Sequence, residues 1–157
     1  MIQIGSIAAA GPVSELIVQR RDGVAVRLHV EFAGDAHSRG RGLMKRQYLA
    51  PRTGMVFDFE RRRRVHMWMK NTLIPLDILF ITESGEVIQI KHQATPRSSR
   101  LITSRHKVRY VVEINGGEAE ELGFALGDRV LLQQWSQSRH GTARPATFND
   151  IRLGTSG

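Results

Sequence analysis

Alternation of apolar and polar residues is the dominant pattern in this 157-residue chain. In residues 24–32 every second residue is apolar, and the residues between them include Arg27, His29 and Glu31. A β-strand places successive side chains on opposite faces, so this period indicates a half-buried antiparallel strand. The same alternation recurs in residues 55–60 and 110–115. The chain is therefore expected to fold mainly as β-sheet.

Shorter segments complete a predicted set of about eight strands. They are residues 15–20, 65–69, 76–82, 87–92 and 129–133. Two of the junctions carry turn sequences, Arg21-Asp22-Gly23 and Glu83-Ser84-Gly85, which are typical of connections between neighbouring antiparallel strands. Residues 96–105 form a polar segment rich in Ser and Arg, which predicts an irregular connection.

Two segments have a helical period instead. One begins after Asp35, a suitable N-cap residue, and is predicted to end near Arg46. Gly40 and Gly42 within it cost about 1 kcal/mol each relative to Ala, which predicts that other backbone approaches closely there. The second helix is short and covers residues 117–122. These elements predict an α+β fold, mostly antiparallel, with the strands in a partly closed barrel or sandwich.

Length and composition favour one domain. A chain of this size with 41% hydrophobic residues can bury a sizeable core without a metal or a disulfide. We predict a flexible N-terminus at residues 1–13, a single globular domain at 14–135 and a loosely ordered polar tail at 136–157. No apolar run approaches the roughly 18–20 residues that span a bilayer, and no secretory signal is evident. A cytoplasmic location is the expectation for the chain as it stands.

The residue inventory excludes several kinds of chemistry. The absence of cysteine excludes disulfides, thiolate metal sites and a cysteine nucleophile. The six histidines show no metal-ligand spacing, although a site assembled only in space stays open. There is no nucleophile elbow, P-loop or dinucleotide fingerprint. We therefore predict no metal and no cofactor, and an enzyme is the less favoured class.

Motifs in the centre of the chain carry a family resemblance. They are Arg39-Gly40-Arg41-Gly42-Leu43-Met44, Gly54-Met55-Val56-Phe57 and Trp68-Met69-Lys70-Asn71-Thr72-Leu73-Ile74-Pro75-Leu76-Asp77. In order and spacing they resemble the prokaryotic family named domain of unknown function 192. Its pattern is an Arg-x-x-Gly-Leu-Met helix, a Gly-Met-x-Phe strand and a Trp-Met-x-Asn-Thr-x-x-Pro-Leu-Asp segment. The similarity runs from about residue 24 to residue 133.

The resemblance implies a small, mostly β domain with one or two helices and no established activity. Many members look exported, and this chain departs from them by lacking a signal. Where the family usually has an acidic residue before the motif arginine, this chain has Ser38, which predicts a weaker capping box. The four consecutive arginines, Arg61–Arg64, are not a family feature.

The Trp68–Asp77 segment is the candidate ligand site. The alternation places Asp77 on an apolar face, where an unpaired carboxylate would be costly. One interpretation is that Asn71, Thr72 and Asp77 converge beside Trp68 to form a small pocket. The candidate ligand-binding residues are Arg39, Trp68, Asn71, Thr72 and Asp77. The structural alternative is that Asp77 accepts backbone N–H bonds or pairs with Arg39.

An uneven charge distribution provides a second candidate site. The chain has 23 Lys and Arg against 15 Asp and Glu, a formal net charge of +8. A basic face would form if residues 39–64 and 91–109 meet, and it would attract nucleic acid or another polyanion. The candidate contacts are Arg61, Arg62, Arg63, Arg64, Arg97, Arg100 and Arg105. Few aromatic residues lie nearby, which disfavours base stacking, and solvated surface charge is the alternative.

These patterns favour a non-enzymatic binding domain for an unknown small ligand or protein, with a basic face that attracts polyanions. Two alternatives stay open. One is a nucleic-acid-binding accessory or regulatory protein that uses Arg61–Arg64. The other is a small hydrolase or lyase that uses Asp77 as its acid or base.

Overall fold

The computed structural model describes residues 13–131. Nearly all of the predicted N-terminal arm and the whole predicted tail lie outside the described residues. The strands are β1 (Val13–Gln19), β2 (Ala25–Ala33), β3 (Thr53–Arg63), β4 (His66–Met67), β5 (Leu76–Ile81), β6 (Val87–Ala94), β7 (Ile102–Thr103), β8 (Val108–Asn115) and β9 (Arg129–Val130). The helices are α1 (Ala36–Arg41) and α2 (Glu118–Glu121), and within residues 13–131 no helix is long and apolar enough to cross a membrane.

Seven strands form one curled sheet in the order β6-β5-β8-β3-β2-β1-β9. Neighbouring strands are antiparallel except β2 and β3, which are parallel and connected through α1. The two ends of the sheet meet, because Glu86 bridges to Arg129 and the Val87 N–H donates to the Asp128 carbonyl at 2.9 Å. The remaining strands, β4 and β7, form a separate two-stranded ribbon. The predicted α+β, mostly antiparallel, partly closed barrel is confirmed.

The sheet carries an apolar layer on each face. The layer inside the curl includes Leu16, Leu28, Val56, Leu79, Val112 and Phe124. The outer layer joins Met55, Phe57, Ile78, Phe80 and Val111 of the sheet to Leu43, Leu49, Val65, Met67 and Met69, which cover them. Strands β3, β5 and β8 are therefore buried on both faces, which explains why all six residues of β5 are buried.

Helix α1 is shorter than predicted, and Asp35 caps it as expected. It ends at Arg41, because Gly42 adopts a positive φ of 49° beside the Phe57 ring. The Asp35 carboxylate accepts from the Ser38 N–H at 2.9 Å, and the Ser38 hydroxyl accepts from the Asp35 N–H. The capping box is therefore present, with a serine hydroxyl in the reciprocal role, and its lower strength relative to a box with an acidic residue stays a prediction. The predicted close approach of backbone is not observed at either glycine: a Cβ atom at Gly42 would be in ordinary contact with the Phe57 ring at 3.4 Å, and no atom lies within 4 Å of a Cβ position at Gly40.

The ribbon of β4 and β7 lies over the outer layer. His66 pairs with Thr103 and Met67 pairs with Ile102. The Ser104 hydroxyl, which is buried, accepts from the Val65 N–H at 2.9 Å. The predicted strand over residues 65–69 is thus reduced to two residues, and the polar segment that was expected to be irregular supplies its partner strand.

Candidate functional site

A pocket of about 250 Å³ opens between α1 and the β4 ribbon, above the outer face of the sheet. Its exposed mouth is formed by Gly40, Arg41, His66 and Trp68. Its inner wall is formed by the buried residues Leu43, Phe57, Met67, Thr72 and Glu113. Apolar and aromatic walls with a small number of polar groups are typical of small-molecule sites.

Glu113 is the buried acid of this pocket. In β8 it lies opposite Met55 of β3 on one side and Ile78 of β5 on the other, and only 4% of the residue is exposed. Within residues 13–131 its carboxyl group makes no hydrogen bond or ion pair. Burial raises the pKa of Glu113 from 4.5 to about 8, because the ionised form loses its hydration. The group is therefore mainly uncharged at neutral pH.

Arg39 holds α1 against β3 and so forms part of the pocket wall. Its Nη1 donates to the carbonyl oxygens of Gly34 and Asp58 and lies 3.2 Å from the Glu60 carboxylate. Its guanidinium also lies 5.6 Å from the centroid of the Phe59 ring. These contacts position the helix, so Arg39 contributes to the site mainly by fixing its shape and charge.

The Trp68–Thr72 segment contributes unequally to the pocket. Trp68 is 44% exposed at the mouth, where the Lys70 ammonium lies 5.4 Å from the centroid of its ring. Thr72 is buried and lines the inner wall. Asn71 instead occupies a turn with φ of 58° and lines a separate groove along α1, where its carbonyl accepts from the Lys45 N–H. Of the predicted ligand-binding residues, the structure thus brings together Arg39, Trp68 and Thr72.

Asp77 lies on the opposite face of the sheet from the pocket. Its carboxylate is fully buried and accepts from the N–H groups of Gln93 at 2.7 Å, Gly117 at 3.0 Å and Ala119 at 2.8 Å. His92 Nδ1 is 4.0 Å away. Of the structural interpretations left open by the sequence, acceptance of backbone N–H bonds is observed and pairing with Arg39 is not. Asp77 joins β5 to β6 and to the start of α2.

Glu113 is the pocket residue that the sequence reasoning missed. Alternation assigns it to the polar face of its strand, together with Val111 and Asn115. Val111 on that face is the available signal, because an apolar neighbour indicates a strand covered on both sides. The covering residues come from α1 and from the ribbon, and their position depends on contacts distant in sequence.

Two of the basic segments do meet. The four arginines 61–64 are exposed, and Arg64 Nη1 donates to the Ser104 carbonyl at 3.3 Å. Arg105 and Lys107 follow immediately and are also exposed, and Arg62 and Lys107 line one shallow groove. Arg97 and Arg100 lie toward the other end of the ribbon, where the Arg97 N–H donates to the Thr72 carbonyl. The exposed cations of these two segments form the basic end of the molecule, which comprises Arg61, Arg62, Arg63, Arg64, Arg105 and Lys107.

The described residues contain no cluster of metal ligands. Among residues 13–131, no group of three or more His, Cys, Asp or Glu side chains is placed to hold a metal ion.

The curled, mostly antiparallel sheet, its covered outer face and the pocket between α1 and β4 together define a small, mostly β domain of the α+β class. The chain belongs to the domain of unknown function 192 family, described as an uncharacterized ACR, whose sequence pattern matches residues 17–132.

Solved structures share this fold. A protein of Sinorhizobium meliloti 1021 described as a candidate transcription regulator is 42% identical, with a TM-score of 0.76 over 77% of this chain and 94% of that chain. A protein of unknown function from Novosphingobium aromaticivorans DSM 12444 is 32% identical, with a TM-score of 0.73 over 76% of this chain and 84% of that chain. A comparison with curated proteins finds no match.

Proposed function

We propose that this protein is a non-enzymatic binding domain that takes a small ligand into the pocket between α1 and β4. The observation that supports this most directly is the Glu113 carboxyl group, which is buried, lines an open pocket and has no partner within residues 13–131. Buried polar groups are nearly always hydrogen-bonded, and an exception in a pocket points to a missing partner. A ligand that bonds to Glu113 supplies that partner.

The pocket favours binding over hydrolysis or elimination. Among residues 13–131, Glu113 is the single carboxylic acid that lines the pocket, and the Asp77 carboxyl group accepts from three backbone N–H groups on the other face of the sheet. Acid–base hydrolysis of the glycosidase type uses two carboxyl groups that face one bond. The arrangement therefore supports recognition of a ligand more than chemistry on it.

Titration with 8-anilinonaphthalene-1-sulfonate, a small aromatic anion that fluoresces when desolvated, tests the proposal. We expect saturable binding that weakens at least several-fold in Trp68→Ala, because Trp68 forms part of the mouth. Tyr48→Ala is the matched control, since Tyr48 is a 73% exposed aromatic residue outside the pocket. Equal loss in both variants, or no saturable binding, would contradict a ligand role for this pocket.

A second candidate function is supported by the basic end. Its arginines and Lys107 lie on adjacent segments, which concentrates positive charge on one end of the molecule. The similar protein from Sinorhizobium meliloti is described as a candidate transcription regulator. We propose on these grounds that the basic end adds affinity for nucleic acid, through phosphate contacts rather than base stacking. Fluorescence anisotropy of labelled DNA and RNA tests it.

A further inference from the structure

We propose that the ligand of this pocket is an organic anion. Its charged group lies at the mouth near Arg41 and Lys70, and its inner end is an uncharged acceptor that takes a hydrogen bond from the O–H of a neutral Glu113 carboxyl group. This inference rests on the proposed ligand-binding function and specifies the chemical class of the ligand. Two properties of the pocket support it: the mouth carries cationic side chains, and the inner wall is mainly apolar.

The mouth of the pocket carries positive charge. Arg41 lines it with an exposed side chain, and the Lys70 ammonium lies against the face of Trp68. Arg39 lines the same wall and is paired with Glu60. Positive charge around a cleft with low-dielectric walls raises the local concentration of anions and disfavours cations. The charge at the entrance therefore selects an anionic ligand.

The inner wall selects an uncharged group. Glu113 is surrounded by Met55 and Ile78 of the adjacent strands and by Phe57 and Leu43 of the wall. An ionised carboxylate in such surroundings is costly, so the group stays protonated and can donate one O–H bond. Aromatic side chains in the walls, including Phe57 and Trp68, favour a flat ring between the two ends of the ligand.

Few titratable groups face this part of the molecule. From α1 they are Arg39 and Arg41, from β4 His66, from the following turn Lys70, and from β3 Asp58 and Glu60. Asp58 is paired with Arg109 of β8 and Glu60 with Arg39. On the Glu113 face, the residues of β5 are apolar, and β8 adds Arg109, Val111 and Asn115. Glu113 is therefore the acid whose titration a ligand at the inner wall would sense.

Binding of such a ligand depends on pH in a defined direction. A ligand that accepts a hydrogen bond from the Glu113 O–H binds the uncharged form, so its affinity is constant at low pH and falls as Glu113 ionises. With a pKa of about 8, the affinity should fall about tenfold between pH 7 and pH 9. A cationic ligand would show the opposite trend, because it would favour the ionised carboxylate.

The test uses the full chain and three probes that share one aromatic ring. The probe 4-acetylbenzoate carries an anion and a carbonyl acceptor, 4-ethylbenzoate lacks the acceptor, and (4-acetylphenyl)trimethylammonium reverses the charge. Dissociation constants are measured at four pH values between 6 and 9 from the methyl resonances of Leu43, Met44 and Met67, which line the pocket. We expect 4-acetylbenzoate to bind several-fold more tightly than either analogue at pH 7, with a tenfold loss toward pH 9.

Variants separate this inference from the function on which it rests. Glu113→Gln should retain affinity for 4-acetylbenzoate through its amide N–H and lose the pH dependence of binding. The control Glu120→Gln, a change at an exposed acid of α2, should keep the pH dependence. In the unmodified protein, the ¹³C-detected pKa of the Glu113 carboxyl should rise when the probe is added. An unchanged pKa, a flat pH profile, or equally tight binding of the cation or of 4-ethylbenzoate would overturn the ligand class. If no probe of either charge moves the pocket methyl groups, the proposed function itself fails.

Discussion

At the scale of single residues, two acidic side chains on adjacent strands differ in their hydrogen bonding, although both residues are buried. Asp77 pairs with Ile114 and Ile78 pairs with Glu113, so the two acids are neighbours in the sheet but face opposite sides. Asp77 accepts three backbone N–H bonds, whereas Glu113 makes no bond within the described residues. The carboxyl group of Asp77 thus connects three segments of the backbone, whereas burial without a partner favours the neutral form of Glu113.

Replacing Glu113 with Gln should stabilise the protein by an amount that grows with pH. The folded-state pKa of Glu113 is raised from 4.5 to about 8, so folding loses stability as the pH rises from about 4.5 to about 8 and no more above it. The full effect is of the order of 4–5 kcal/mol at 1.36 kcal/mol per pKa unit. Urea unfolding at pH 5, 6, 7 and 8 measures it, with Glu120→Gln as the control. A gap between Glu113→Gln and the unmodified protein that is independent of pH would contradict the raised pKa.

Replacing Asp77 with Asn should destabilise the fold and leave the pocket intact. The amide is uncharged and has one acceptor oxygen in place of two, so at least one of the three backbone N–H groups loses its acceptor and the others keep a weaker bond. The expected cost is about 2–4 kcal/mol, or a melting temperature lower by about 10 °C. Calorimetry and 8-anilinonaphthalene-1-sulfonate titration should be made on the same sample. An unchanged melting temperature with lost probe binding would instead assign Asp77 to the ligand site.

At the scale of elements, the pocket depends on the close pairing of β3 and β8. Gly54 of β3 lies opposite Ile114, and a Cβ atom at Gly54 would stand 2.1 Å from the Glu113 carbonyl oxygen. Any larger residue there would push the two strands apart at the position of Glu113. The glycine of the Gly-Met-x-Phe motif therefore allows β3 and β8 to pair closely beside Glu113, which lies on the inner wall of the pocket.

Matched glycine substitutions test this dependence. Gly54→Ala should destabilise the fold by about 3 kcal/mol, because the β8 backbone must shift. Gly40→Ala in α1 should instead stabilise it by up to about 1 kcal/mol, since no atom lies within 4 Å of its Cβ position and alanine is the better helix former. Chemical unfolding of both variants measures the difference. Equal effects of the two substitutions would argue against close approach at Gly54.

At the scale of the whole molecule, positive charge is concentrated at the basic end. The basic end joins the C-terminal part of β3 to the segment before β8. The acids near it are engaged, with Asp58 and Glu83 both paired with Arg109. The long-range field at this end is therefore positive, which favours contact with phosphates.

Replacing all four of Arg61–Arg64 with Ser should weaken DNA and RNA binding with a reduced salt dependence. Each neutralised phosphate contributes about 0.9 to the slope of log K against log salt concentration on duplex DNA, so the slope should decrease by up to about 3–4. Anisotropy titrations at two salt concentrations measure it. The control is Arg27→Ser, an exposed arginine of β2. No binding at low salt in the unmodified protein would leave the net charge of +8 without a nucleic-acid role.

The sequence by itself determined most of the strands, the positions of the two helices and the family. Alternation located β2, β3 and β8 to within a few residues, because one-sided burial leaves a local period. It did not reveal β7, whose two residues are held by a partner strand more than 30 residues away. Short strands that depend on such pairing have little local signal.

Only the tertiary structure decided which polar residues belong to one site. Thr72 and Glu113 line the same pocket although 41 positions separate them, whereas Asn71 and Asp77, close to Thr72 in sequence, lie elsewhere. Local alternation reports the face of a strand on which a residue lies, but not what covers that face. The cover here is provided by α1 and the ribbon through long-range packing, and this packing leaves the carboxyl group of Glu113 buried in an open pocket.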